Sequence, residues 1–237
     1  MNKQLFLNRI QTALNHTQSD LSPGTGPDID DTLSWNPVLK EENLLKIFQE
    51  STSRVDAYCE IFSILENEFI SKLEQIITRN QIKSGLVFLE DLLLICNEKS
   101  FWLNIFKRFP WIKIWVSRKT DEVTQDELTK ILSNIDLVIS GCCFLLADVG
   151  TAGIYSNSFS GRAGSLFSPH HIIIAKSSQL YSCFSEYLRS ATKNPVNEES
   201  SALILISGPS RTADIEKTLV KGVHGPVSLS FFVITDF

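Results

Sequence analysis

From Gly85 onward the chain breaks into short runs that are apolar at nearly every position, and this feature limits its possible folds more than any other. LVFL (86–89), IKIWVS (112–117), DLVIS (136–140), FLLAD (144–148), HIIIA (171–175), ALILIS (202–207) and VSLSFFVI (227–234) are rich in β-branched and aromatic residues, as strands are. A strand with one wet face alternates polar and apolar side chains, whereas a strand apolar throughout is covered on both faces. Helical patterns lie between several of these runs: WLNIFKRF, TQDELTKILSNI and SQLYSCFSEYLRSA. Doubly covered strands interleaved with helices predict an α/β fold, a three-layer α/β/α domain with a mostly parallel sheet.

Upstream, Leu44, Ile47, Phe48, Val55, Tyr58, Cys59, Phe62, Leu65, Phe69, Leu73 and Ile76 recur at steps of three and four with no Gly or Pro between them, so 38–80 reads as helical. Phe6, Ile10, Ala13 and Leu14 form a short amphipathic pattern near the start. The Ser, Asp, Pro and Gly of 16–37 then mark an irregular connector. The expected organisation is an N-terminal helix with a flexible connector over 1–36, then one domain over 37–237 whose α/β core is 85–237. The polar segment 190–201 reads as a surface loop.

Charge and patterning exclude several classes. With 22 Lys and Arg against 27 Asp and Glu, the chain has no excess of cations for neutralising a phosphate backbone, so a nucleic-acid role is not expected. The run at 86–96 is cut by Glu90 and Asp91 and falls short of a membrane span, and the first residues lack a continuous signal-type apolar core. A cytoplasmic location is therefore expected. Cys59, Cys96, Cys142, Cys143 and Cys183 are odd in number and scattered, which predicts free thiols. Cluster ligation uses four cysteines, often as Cys-x-x-Cys, and the one close pair here is Cys142-Cys143, so no cluster is expected in this chain. His170-His171 and His224 lack metal-ligand spacing, and no metal site is expected.

The segment 202–234 reads as strand, Gly208-Pro209-Ser210-Arg211-Thr212, a helix from near Ala213 ended by Gly222, and a second strand after Pro226. As a right-handed crossover, this would put the helix entrance at the carboxyl edge of the sheet, where open α/β folds bind ligands. Free N–H groups there, with the Ser210 and Thr212 hydroxyls and Arg211, would hold a carboxylate or phosphate. Equally, Ser210 or Thr212 would serve as a helix cap, with Arg211 paired to Asp214 or Glu216. The turn is neither a Walker A loop nor a nucleophile elbow. Asp148 closes an apolar run before Gly150-Thr151, which makes it the candidate acid, base or nucleophile. The alternative is an Asp accepting bonds from its own turn. Arg162 is a second candidate anion clamp, and His224 fixes a turn or faces the cleft.

GPSRTADIE (208–216) with KGVHGP (221–226) resembles the signature of the lactate utilization protein C family (LutC/YkgG), whose members consist of a LUD domain. ADVGTAGIYS (147–156) and GRAGSLFSPHHI (161–172) are similar to two further family segments, and His171 matches the histidine of the second. The resemblance runs from about Leu137 to the end. It implies a fold like that of the NagB/RpiA/CoA-transferase group and an accessory role in oxidising L-lactate to pyruvate, with iron-sulfur clusters carried by partner subunits. The candidate ligand-binding residues are Gly150, Thr151, Arg162, His171, Gly208, Ser210, Arg211, Thr212 and His224. The sequence departs from the pattern at Val149, where threonine is usual, and at Phe167-Ser168, where Leu-Pro is common. The competing expectation is a free-standing enzyme acting on a phosphorylated or CoA-linked metabolite through Asp148.

Overall fold

The computed structural model describes residues 43–63, 66–115, 130–156, 164–193, 202–212, 220–222 and 225–235. The expected helix and connector of 1–36, the helix from Ala213, Arg162 and His224 lie outside the described residues.

The described chain begins with helix α1 (Leu44–Arg54), then β1 (Tyr58–Phe62), α2 (Glu66–Arg79), β2 (Gly85–Phe88), α3 (Leu89–Ile95), α4 (Lys99–Lys107) and β3 (Ile112–Trp115). It continues with β4 (Leu137–Gly141), β5 (Phe144–Leu146), β6 (Thr151–Ser156), α5 (Gly164–Phe167), β7 (His170–Lys176), β8 (Leu180–Tyr181) and α6 (Phe184–Lys193). The last elements are β9 (Ala202–Ile206), β10 (Arg211–Thr212), β11 (Val220–Lys221) and β12 (Ser228–Ile234). All seven apolar runs contain strands. Six strands form a main sheet in the order β1-β12-β7-β4-β2-β3, with every neighbouring pair parallel.

Both faces of this sheet are covered, as the continuously apolar strands require. On one face Phe62, Val87, Ile139, Ile172, Ile174, Phe232 and Ile234 pack with Phe69 and Leu73 of α2, Leu92 of α3 and Trp102 of α4. Residues of the opposite parity, Cys59, Ile173, Phe231 and Val233, pack against Phe48 of α1 and against Leu145 and Ala152 of a second sheet. That second sheet has the order β8-β5-β6-β9 and is mixed, with β6 antiparallel to both β5 and β9. Farther along the same face, Leu86, Phe88 and Val138 pack on Leu132 and Ile135.

The structure corrects two expectations. The stretch 38–80 is not helical throughout: β1 interrupts it and pairs with β12 from Tyr58↔Ser230 to Phe62↔Ile234. Tyr58, Cys59, Ile61 and Phe62 satisfy a helical period, but Cys59 and Phe62 are buried in cores on opposite sides of the sheet, which a strand delivers and a helix does not. Nor is 202–234 a crossover within one sheet. Strand β9 runs antiparallel to β6 in the small sheet, and β12 lies in the main one.

Candidate functional site at the amino edge

The C-terminal turn of α1 is where the candidate segments meet. Arg54 in the last turn complements the helix dipole. The helix stops because Asp56 takes a left-handed conformation (φ 60°), the Ala57 N–H donates to the Thr52 carbonyl at 2.9 Å, and the Asp56 N–H donates to the Ser53 carbonyl at 3.1 Å. This is a Schellman ending with aspartate at the position glycine usually takes. Since the next strand is β1, the turn sits at the amino edge of the parallel sheet.

Two segments, the Asp148 turn and the GPSR loop, close on this turn, and Gly222 and Pro226 bond to the second of them. Gly150 has φ 60°, and a Cβ there would stand 2.6 Å from the Thr52 nitrogen and 2.7 Å from the Ser51 carbonyl carbon. Gly208 has φ 79°, and a Cβ there would overlap the Val55 carbonyl oxygen. Arg211 Nη2 lies 2.6 Å from Asp56 Oδ2. The Ser51 hydroxyl donates to the Asp148 carbonyl at 3.2 Å, and the Ser207 hydroxyl donates to the Val149 carbonyl at 3.2 Å, which joins the Asp148 turn to the GPSR loop. The Ser210 N–H donates to the Pro226 carbonyl at 2.8 Å, and the Gly222 N–H donates to the Ser210 carbonyl at 3.0 Å.

The Asp148 turn and the GPSR loop do meet, but at the amino edge of the main sheet and not at the carboxyl edge. Strand β9 belongs to the small sheet, so its carboxyl end says nothing about the carboxyl edge of the main one. Residues 210–212 do not present a free helix entrance either: Arg211 and Thr212 pair with Lys221 and Val220 in a two-stranded ribbon. The partner of Arg211 is Asp56, which no pattern in 208–216 could supply. Ser51, Thr52 and Asp56 were missed because the expected helix ran through them.

At the carboxyl edge, the connection after β2 leads to β3 on one side and that after β4 leads to β7 on the other, so the topological switch point lies between β2 and β4. It is filled by protein. Helix α3 begins at the residue after β2, and a Cβ on Gly141 at the end of β4 would stand 2.6 Å from the Asp91 carbonyl oxygen.

The remaining candidates divide. Asp148 is tied through its backbone, its N–H donating to the Ser182 carbonyl at 3.1 Å. Thr151 is buried, and its hydroxyl donates to the Val149 carbonyl at 3.4 Å. His171 lies on β7, with Nε2 2.9 Å from the Ser140 hydroxyl of β4. Burial pushes its pKa down to about 4, so the imidazole is neutral. Neighbouring His170 points to the other face and contacts Ser228 Oγ through Nδ1 at 2.8 Å. Burial drives the thiols of Cys59, Cys142 and Cys143 up, Cys59 to about 12. Among the described residues, no group of three or more His, Cys, Asp and Glu could hold a metal ion, and no helix is long and apolar enough to cross a membrane.

With this geometry in place, comparison with known proteins supplies the family. The chain is 31% identical over 138 residues to Lactate utilization protein C of Halalkalibacterium halodurans, covering 57% of this chain and 58% of that one. It is 36% identical over 94 residues to Lactate utilization protein C of Bacillus subtilis, covering 38% and 39%. An uncharacterized protein of Neisseria meningitidis, NMB1437, is 36% identical over 106 residues, covering 45% of each chain. The chain thus spans little more than half the length of the first of these relatives. The fold is similar to that of a DUF162 family protein from Deinococcus radiodurans, with a TM-score of 0.56 at 20% identity over 83% of this chain and 99% of that one. The family model of the LUD domain matches residues 65–234, and the chain belongs to the LUD domain family.

Proposed function

We propose that this chain is the accessory C-type subunit of an iron-sulfur-dependent system that oxidises L-lactate to pyruvate, and that it binds a small carboxylate at the amino-edge cluster. The likeness to Lactate utilization protein C carries the first part. The second rests on Arg211. A guanidinium has five N–H donors, and Asp56 engages this one through Nη2, so donors remain for a second carboxylate. Asp56 and the ribbon partner Lys221 fix where the guanidinium stands. Redox chemistry falls to partner subunits carrying iron-sulfur clusters, and this chain supplies binding and orientation.

The test is growth. A strain lacking its own C-type protein but retaining the iron-sulfur partner subunits should regain growth on L-lactate when this chain is supplied, and the tagged chain should copurify with those subunits. Failure of both sinks the lactate reading. Restored growth that survives Arg211→Ala undiminished sinks the role of Arg211.

A further inference from the structure

One end of the small sheet is built unlike the other sheet ends. The order β8-β5-β6-β9 leaves β9 outermost, and among the described residues no strand lies beyond it. Alternate backbone groups of an outermost antiparallel strand point away from its neighbour, and proteins guard such edges with charge, proline or short length. The main sheet ends on β1, where Glu60 pairs with Lys72 at 2.9 Å, and on β3, which carries the exposed Lys113. The opposite end of the small sheet, β8, is two residues long. Strand β9 has none of these devices: ALILI at 202–206 is aliphatic throughout, and Leu205 is 50% exposed.

The register shows what fits this edge. Leu205 stands across from Gly153, where a Cβ would overlap the Phe144 ring, and Leu203 stands across from Tyr155. The apolar row that runs from Phe144 to Leu205 thus stops at the edge with its last side chain half exposed. We propose that a second copy of this chain pairs there, β9 against β9, antiparallel about a two-fold axis at Ile204. Leu203 of each copy then stands opposite Leu205 of the other and continues its row, and Ala202 stands opposite Ile206. Charge complementarity selects a second copy at this edge: β9 brings no charge to oppose its like, whereas the same operation about the middle of β1 would set Glu60 against Glu60. The joined sheet has β8 at both ends, too short to extend further, so the assembly closes at two chains. Five residues a side make a small interface, with a dissociation constant in the micromolar range. The pairing is independent of Arg211 and of the lactate reading.

The experiment is sedimentation equilibrium of the full chain from about 1 to about 200 µM, with amide hydrogen exchange measured at both ends of that range. The mass should rise from one chain to two, and exchange at 202–206 should slow with concentration while that of β3 does not. Leu205→Glu puts two uncompensated charges into the seam and should raise the dissociation constant about a hundredfold or more. Its melting temperature at the dilute end should match that of the natural chain, because Leu205 is half exposed there. Adding Leu203→Lys to Leu205→Glu sets each lysine opposite a glutamate of the other copy, and should return the constant to within about tenfold of the natural value. A natural chain that stays single at the highest concentration, or a dimer that Leu205→Glu leaves intact, overturns the proposal. So does a single chain whose 202–206 amides are protected only by an iron-sulfur partner subunit, since the edge then serves a different protein. If circular dichroism shows either variant unfolded, the concentration dependence of exchange in the natural chain decides alone.

Discussion

Arg211 and Asp56 are joined at 2.6 Å across two segments that lie far apart in sequence, and the aspartate holds a left-handed backbone conformation to make the contact. With side chains 35% and 52% exposed, the ion pair itself stabilises little, about 0–1 kcal/mol. A non-glycine residue in this conformation costs about 1–2 kcal/mol. Asp56→Gly should therefore leave the chain as stable as before or slightly more so in urea, while weakening small-carboxylate binding through a less constrained Arg211. A marked loss of stability would contradict this account.

Gly150→Ala and Gly208→Ala should each destabilise by roughly 2 kcal/mol or more, since both combine a left-handed conformation with contact against the backbone of the α1 turn. Chemical denaturation checks this without any ligand. Stability unchanged by either substitution would mean that the α1 turn does not press on these loops.

The carboxylate of Asp136 accepts bonds from the Lys83 N–H at 2.8 Å and from the Ser84 N–H and hydroxyl at 2.9 and 3.0 Å, which ties the start of β4 to that of β2. Burial alone would raise its pKa, but these bonds together bring it below the usual carboxylate range. Its contribution is complete above the ordinary aspartate pKa and is lost as pH falls through the lowered value. Asp136→Asn should lower stability at neutral pH and narrow its difference from the natural chain in acid, as read from melting temperatures across a pH series.

His171 acts on a higher window. Its pKa is about 4 in the folded chain, against an ordinary 6.5, so the unfolded chain takes up a proton that the folded chain refuses. Stability should fall as pH drops from 6.5 towards 4, by up to roughly 3 kcal/mol from this group. The slope over that window should flatten in His171→Gln. An identical slope in the two proteins would place the proton uptake elsewhere.

Cys59, Cys142 and Cys143 should resist a thiol-labelling reagent under native conditions and react fully in denaturant, because burial holds their thiols protonated. Rapid native labelling of Cys142, detected by peptide mass, would contradict the packing of the carboxyl edge.

The parallel sheet was legible because runs such as IIIA at 172–175 leave no polar face, and only coverage on both sides explains that. What was illegible depends on pairing rather than on pattern. YCEIF at 58–62 fits a helical period as well as a strand, and its registration against 230–234 decides between them. ALILI at 202–206 reads like any core strand, yet its pairing with β6 assigns it to the small sheet. That assignment moves Gly208 and Arg211 from one end of the domain to the other. Asp56 was invisible because nothing local distinguishes an aspartate that ends a helix from one on a solvated face.

The position of β12 also shapes how the chain reaches this structure. It lies between β1 and β7, and Thr235 donates to the Phe62 carbonyl across 173 residues of sequence. During synthesis β1 emerges early and has no sheet neighbour until residues 228–234 arrive, so its edge and the apolar side of α1 must wait unsatisfied. Closure over so long a loop makes the insertion of β12 a late and slow event, during which the nascent protein is most exposed to aggregation.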